Sequence, residues 1–141
     1  MAREVIEQKL ESLRRCLLRI ESKVPDDKSQ LTADYDLQDI IALNLSRAVQ
    51  LAVDIGAHLI AGIDVPPPGT MGETFEILAQ EKILDRELAT KLKKSVGFRN
   101  IAVHSYDSID WEIVYNIVKY HLSEFKEYAK AIVLWLEKRH E

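Results

Sequence analysis

Residues 37–61, LQDIIALNLSRAVQLAVDIGAHLIA, decide the fold class of this chain. Leu37, Ile41, Asn44, Ala48, Ala52, Ile55 and Leu59 recur at steps of three and four, which puts them on one face of a 3.6-residue helix. Asp34 or Asp36 can cap the first turn, because a short acceptor side chain satisfies amides that lack a partner inside the helix. The helix ends near Ala61, since residues 62–72, GIDVPPPGTMG, hold three consecutive prolines flanked by glycines, and proline can donate no backbone hydrogen bond. Asn44 interrupts the apolar stripe and needs a hydrogen-bond partner if it is buried.

The same period extends on both sides. Ile6, Leu10, Leu13, Leu17, Ile20 and Val24 predict a helix over Val5 to Val24 that Pro25 ends, and residues 25–30, PDDKSQ, read as a polar turn. Downstream, a short helix is predicted over Thr74 to Gln80, a turn near Lys82 to Asp85, and then a helix with Leu88, Leu92 and Val96 inward. Asp107 and Ser108 are turn-prone. Asp110 can cap a last helix whose stripe runs Val114, Val118, His121, Phe125, Tyr128, Ile132 and Trp135, continuous almost to the C-terminus. Strand-like alternation is absent. The fold class expected is an all-α bundle of four to five helices, a single domain over residues 1–141.

With 47% apolar and 30% charged residues in 141, the composition is that of a folded chain with one core and not of a disordered tail. No uninterrupted apolar run approaches the ~20 residues of a membrane span. The opening segment MAREVIEQKLESLRR scatters charge where a secretory signal would be apolar, so a cytoplasmic protein with no membrane partner is expected. A single cysteine, Cys16, permits no internal disulfide. The formal net charge of -4 argues against coating nucleic acid by bulk electrostatics, so any RNA contact must be local. Lys91, Lys93, Lys94 and Arg99 supply one basic stretch without an acid; the alternative is a solvated helix face.

No metal or cofactor is expected. A di-iron bundle needs a Glu-x-x-His step from each of two helices, and the chain has only Glu137 to His140. His58 and His121 lie on or beside apolar stripes, as core or interface histidines do. No cysteine pair suits zinc, and no Gly-rich loop cradles phosphate. The remaining constellation is Arg99-Asn100-Ile101-Ala102-Val103-His104-Ser105-Tyr106. Asn100 and His104 are four apart, so the amide can reach a ring nitrogen and fix its tautomer. Arg99 and His104 are five apart, about 140° around a helix. They converge only if the helix bends or ends near His104, or if two copies of the segment share a cleft across a two-fold axis. Such a set suits phosphodiester cleavage, with the guanidinium stabilising phosphoryl charge and the imidazole moving protons. A capped helix end with a structural arginine and histidine fits the residue types as well.

Read as a pattern, Arg99-x4-His104 with a preceding glycine and a following x-Tyr resembles the Arg-x4-6-His motif of the HEPN superfamily, in which Asn100 matches the polar residue after the arginine. Residues 37–60 resemble the long second helix of its HepT-like branch, and residues 75–106, FEILAQEKILDRELATKLKKSVGFRNIAVHSY, its third and fourth. The similarity runs from about residue 37 to 127. This resemblance implies a HEPN-like helical homodimer that acts as a metal-independent ribonuclease toxin on RNA such as tRNA or mRNA. It implies Arg99 and His104 as the catalytic pair and an MNT-type nucleotidyltransferase antitoxin that attaches AMP to Tyr106. A second-helix polar residue near the site is also implied, and Asp39 and Asn44 are the two candidates, with a purely structural role for Asn44 equally open. The chain has no Gly-Ser followed by paired aspartates, so it reads as the substrate of the transferase. The other function compatible with the resemblance is a non-catalytic helical module that binds a nucleotidyltransferase and helps present its substrate.

Overall fold

The computed structural model describes residues 3–139. Among them the chain forms seven α-helices and no strand: α1 (Arg3–Glu21), α2 (Lys28–Ala33), α3 (Tyr35–Ala61), α4 (Met71–Gln80), α5 (Arg86–His104), α6 (Trp111–Tyr120) and α7 (Ser123–Glu137). A 3-10 turn, Tyr106–Ser108, joins α5 to α6. Helix α3 contacts every other helix, and its buried residues Ile41, Leu45, Ala48, Ala52, Ile55 and Leu59 form the middle of one apolar cluster. By length and a mean hydropathy of 1.4, α3 matches a membrane span even without an unbroken apolar run, and 56% of that window is buried inside the bundle. Packing on several sides is what makes its hydropathy high.

Aspartates cap the starts of α2, α3, α5 and α6, with Asp34 and Asp110 among the caps the spacing predicts. Asp34 accepts from the Leu37 amide at 3.1 Å, Asp85 from Leu88 at 2.7 Å and Asp110 from Glu112 at 3.0 Å. Two elements differ from the expectation. The segment read as a polar turn ends in α2, whose start is a capping box: Asp27 accepts from the helix amides while the Gln30 side chain returns to the Asp27 amide. Buried Gln38 on α3 then donates to the Leu31 carbonyl at 3.0 Å and holds the two helices at a sharp joint. The second difference lies at His121, where the last helix is broken and not continuous. The break moves His121 off the core stripe into solvent, where Nδ1 lies 2.7 Å from a Glu124 carboxylate oxygen. Leu122 and Leu136 take the buried positions expected for His121 and Trp135, so the apolar face continues as Val118, Leu122, Phe125, Tyr128, Ile132 and Leu136.

Packing around Gly56 is close. Tyr128 is fully buried, its hydroxyl donates to the Ala52 carbonyl at 2.7 Å, and its ring meets the edge of Phe75 at 5.7 Å. A Cβ on Gly56 would lie 2.5 Å from Thr74 Cγ2, 3.0 Å from Leu78 Cδ1 and 3.1 Å from Tyr128 Oη. Gly56→Ala is therefore expected to destabilise the fold by about 2 kcal/mol, because the overpacking outweighs the helix propensity gained. A urea titration that leaves the midpoint unchanged would show that α4 can move away freely. Cys16 is buried and burial pushes its thiol up, which leaves no accessible thiolate there.

Candidate active site

Helix α5 becomes less buried toward its C-terminal end. Its buried residues are Leu88, Ala89, Leu92 and Val96, and from Gly97 to Ser108 no side chain is buried. The last two turns of α5 therefore form a short arm that rests on the core through the partly buried Phe98 and Ala102, and this arm carries Arg99, Asn100 and His104. Arg99 is half-buried, Asn100 and His104 are exposed, and Ile101 and Val103 are 42% and 52% exposed despite being apolar. His104 is the last helical residue; the Ser105 amide donates to the Ile101 carbonyl at 2.8 Å and closes the turn. Because the helix runs unbroken from Arg99 to His104, the two side chains keep their separation of about 140° around its axis.

The amide of Asn100 is not used on His104. Among the described residues, the Asn100 side-chain oxygen accepts from Arg99 Nη1 at 3.3 Å, so it orients the guanidinium in place of fixing the imidazole tautomer. Adjacent residues point in different directions on a helix, and only the long arginine side chain folds back far enough to meet it.

Tyr106 begins the 3-10 turn and reaches back to α3. Its hydroxyl donates to Asp39 Oδ1 at 2.5 Å, and its ring packs at 65° and 5.9 Å against Trp111 at the start of α6. Burial, then the hydrogen bond to Asp39 and the carboxylate charge, push the phenol well above its ordinary range, so it stays protonated. The residue as a whole is still 39% exposed. Of the two second-helix candidates, the structure brings Asp39 to the arm; Asn44 donates to the Ile40 carbonyl of its own helix at 2.8 Å. Neither the Asp39 contact, 67 residues from Tyr106 in sequence, nor the Trp111 edge carries a local signal in the chain.

The basic stretch is divided. Lys93 pairs with Glu76 on α4, and Lys91 pairs with Glu87 at 3.3 Å, whose hydrogen bond and charge raise the lysine pKa. Lys94 has no ion pair among the described residues. Together with Lys91, Ser95 and His121 it rims a cleft of about 330 Å³ floored by Leu92, Ile117 and Phe125. His58 sits half-buried in the last turn of α3. No group of three or more His, Cys, Asp or Glu placed to hold a metal occurs among the described residues, and His140 of the Glu137 to His140 step lies outside them.

Known proteins resemble the chain over nearly all of its length. The family model described as Ribonuclease HepT-like matches residues 6–132. The chain is 36% identical over 129 residues to a protein named mRNA nuclease HepT from Shewanella oneidensis, covering 92% of this chain and 96% of that protein. It is 29% identical over 132 residues to a tRNA nuclease HepT from Aphanizomenon flos-aquae, covering 94% of this chain and 90% of the relative. Among solved structures it resembles the tri-AMPylated Shewanella oneidensis HEPN toxin in complex with MNT antitoxin, with a TM-score of 0.86, 35% identity, and coverage of 92% of this chain and 97% of that one.

Proposed function

The chain belongs to the HepT-like ribonuclease family, and from that premise we propose that it is a metal-independent endoribonuclease toxin with Arg99 and His104 as its catalytic pair. The observation that carries this reading is the arm at the end of α5, on which Arg99 is half-buried and His104 exposed, so that both lie at the surface within reach of an RNA backbone. In the reaction, the ribose 2′-hydroxyl attacks the adjacent phosphorus and the bond to the 5′-oxygen breaks. His104 moves the protons of attack and departure, and Arg99, oriented by Asn100, stabilises charge on the non-bridging oxygens. Proton transfer and charge stabilisation are then both supplied by side chains, so the cleavage needs no metal. Lys94, which has no ion pair among the described residues, is the first choice for a phosphate contact next to the arm, followed by Lys91 and Lys93 with their carboxylate partners.

Arg99 and His104 act together in a cleft formed by two copies of the chain. Their separation around one straight helix supports this, as do the exposed Ile101 and Val103 beside them, which a second copy would cover. The antitoxin partner is an MNT-type nucleotidyltransferase that attaches AMP to Tyr106, as the AMPylated relative suggests. An anionic nucleotide two residues from His104 would repel an RNA phosphate and fill the cleft. The direct test is incubation of the purified chain with total tRNA and a defined mRNA in EDTA. Cleavage is expected. No cleavage by protein whose intact mass shows Tyr106 unmodified would favour the non-catalytic module that presents a substrate to the transferase.

A further inference from the structure

We propose that Asp39 is the proton acceptor when AMP is transferred to Tyr106, an inference that rests on Tyr106 being the modified residue. Asp39 sits in the second turn of α3 and Tyr106 in the 3-10 turn, and their side chains meet through an O–H···O contact of 2.5 Å. Trp111 packs against the ring as well, so the side chain is held at two points while the residue stays partly exposed. In the transfer, Tyr106 Oη attacks the α-phosphorus of a nucleoside triphosphate. The Oη–P bond forms, the bond from that phosphorus to the bridging oxygen of the β-phosphate breaks, and pyrophosphate leaves with the bonding pair. The phenolic proton must also leave.

No phenolate is waiting to react, because burial and the neighbouring carboxylate hold the hydroxyl protonated. The proton therefore departs as the Oη–P bond forms, and Asp39 Oδ1 is the acceptor already hydrogen-bonded to it. His104, two residues earlier, makes no hydrogen bond to Tyr106 among the described residues. Asp39 is exposed on its outer side and can pass the proton to water afterwards. Once the ester has formed, the oxygen has no hydrogen to donate and carries an anionic phosphate beside the carboxylate.

The test measures AMP addition by intact mass, with ATP and the purified antitoxin, at varied concentrations of full-length wild type, Asp39→Asn, Asp39→Glu and Tyr106→Phe. Asp39→Asn keeps the shape of the side chain and accepts no proton, so kcat for addition is expected to fall about 100-fold with KM for the chain unchanged. Asp39→Glu restores most of that loss. An unchanged kcat in Asp39→Asn, or a rise confined to KM, overturns the role of Asp39 while Tyr106→Phe remains unmodified. Modification of Tyr106→Phe at the wild-type rate instead removes the acceptor itself, a separate failure. Circular dichroism of the Asp39 variants is expected to match wild type, since the residue lies on the surface.

Discussion

Arg99→Ala and His104→Ala proteins, purified and helical, are each expected to cut RNA at least about 100-fold more slowly than wild type, with loss of toxicity on expression. The magnitude follows from the two roles. A positioned acid or base contributes roughly 100- to 10,000-fold, and a donor aimed at developing phosphoryl charge contributes about 3 kcal/mol or more, which is likewise at least 100-fold. If the pair acts as a unit, the double variant is little worse than either single one. Folding should survive, because no side chain between Gly97 and Ser108 is buried and truncation leaves no core cavity. A melting midpoint well below wild type in either variant would instead make the two residues structural. Mixing separates the two ways of building the site. If Arg99 and His104 come from different copies, a mixed dimer of the two single variants holds one complete pair and regains activity. If they act within one chain, the mixture stays as inactive as its components.

Tyr106→Phe is expected to give a nuclease that cuts RNA at close to the wild-type rate and is no longer silenced by antitoxin and ATP. The substitution removes one oxygen and leaves the ring and its edge contact with Trp111 in place, so the turn after α5 keeps its apolar anchor. It does break the hydrogen bond to Asp39, and the cost is modest because Asp39 is exposed and water replaces the lost donor. Wild type, by contrast, should lose at least about 10-fold in cleavage once modified, since an anionic group then sits two residues from His104. In cells, the same variant should stop growth even with the antitoxin present. Full protection of such cells, with no AMP on the protein by mass, would mean that the antitoxin acts by binding alone.

Much of the architecture is written in short-range patterns. The stripe from Leu37 to Leu59 identified the central helix, Asp110 marked one helix start and Asp34 was one of two candidates for another, because capping and the 3.6-residue period are decided within a turn or two of chain. The Asp27 and Gln30 box that begins α2 was equally local and was covered by the turn-like composition around it. The break at His121 was not local. A continuous helix would keep His121 on the core face, and only the demand of the assembled core for Leu122 and Leu136 shows that the chain must shift its phase there.

The sequence by itself determined that this is a helical bundle and that Arg99, Asn100, His104 and Tyr106 fall within one short stretch at the end of a helix and the turn after it, since spacing along the chain limits how far apart they can be. Only the tertiary structure decided what surrounds them: Asn100 turned to Arg99, Lys93 paired with Glu76 on another helix, and Asp39 set against Tyr106. The last two contacts join residues far apart in the chain. Their partners are chosen when helices pack, by crossing geometry and the burial of apolar faces, and no periodicity within one helix records that choice.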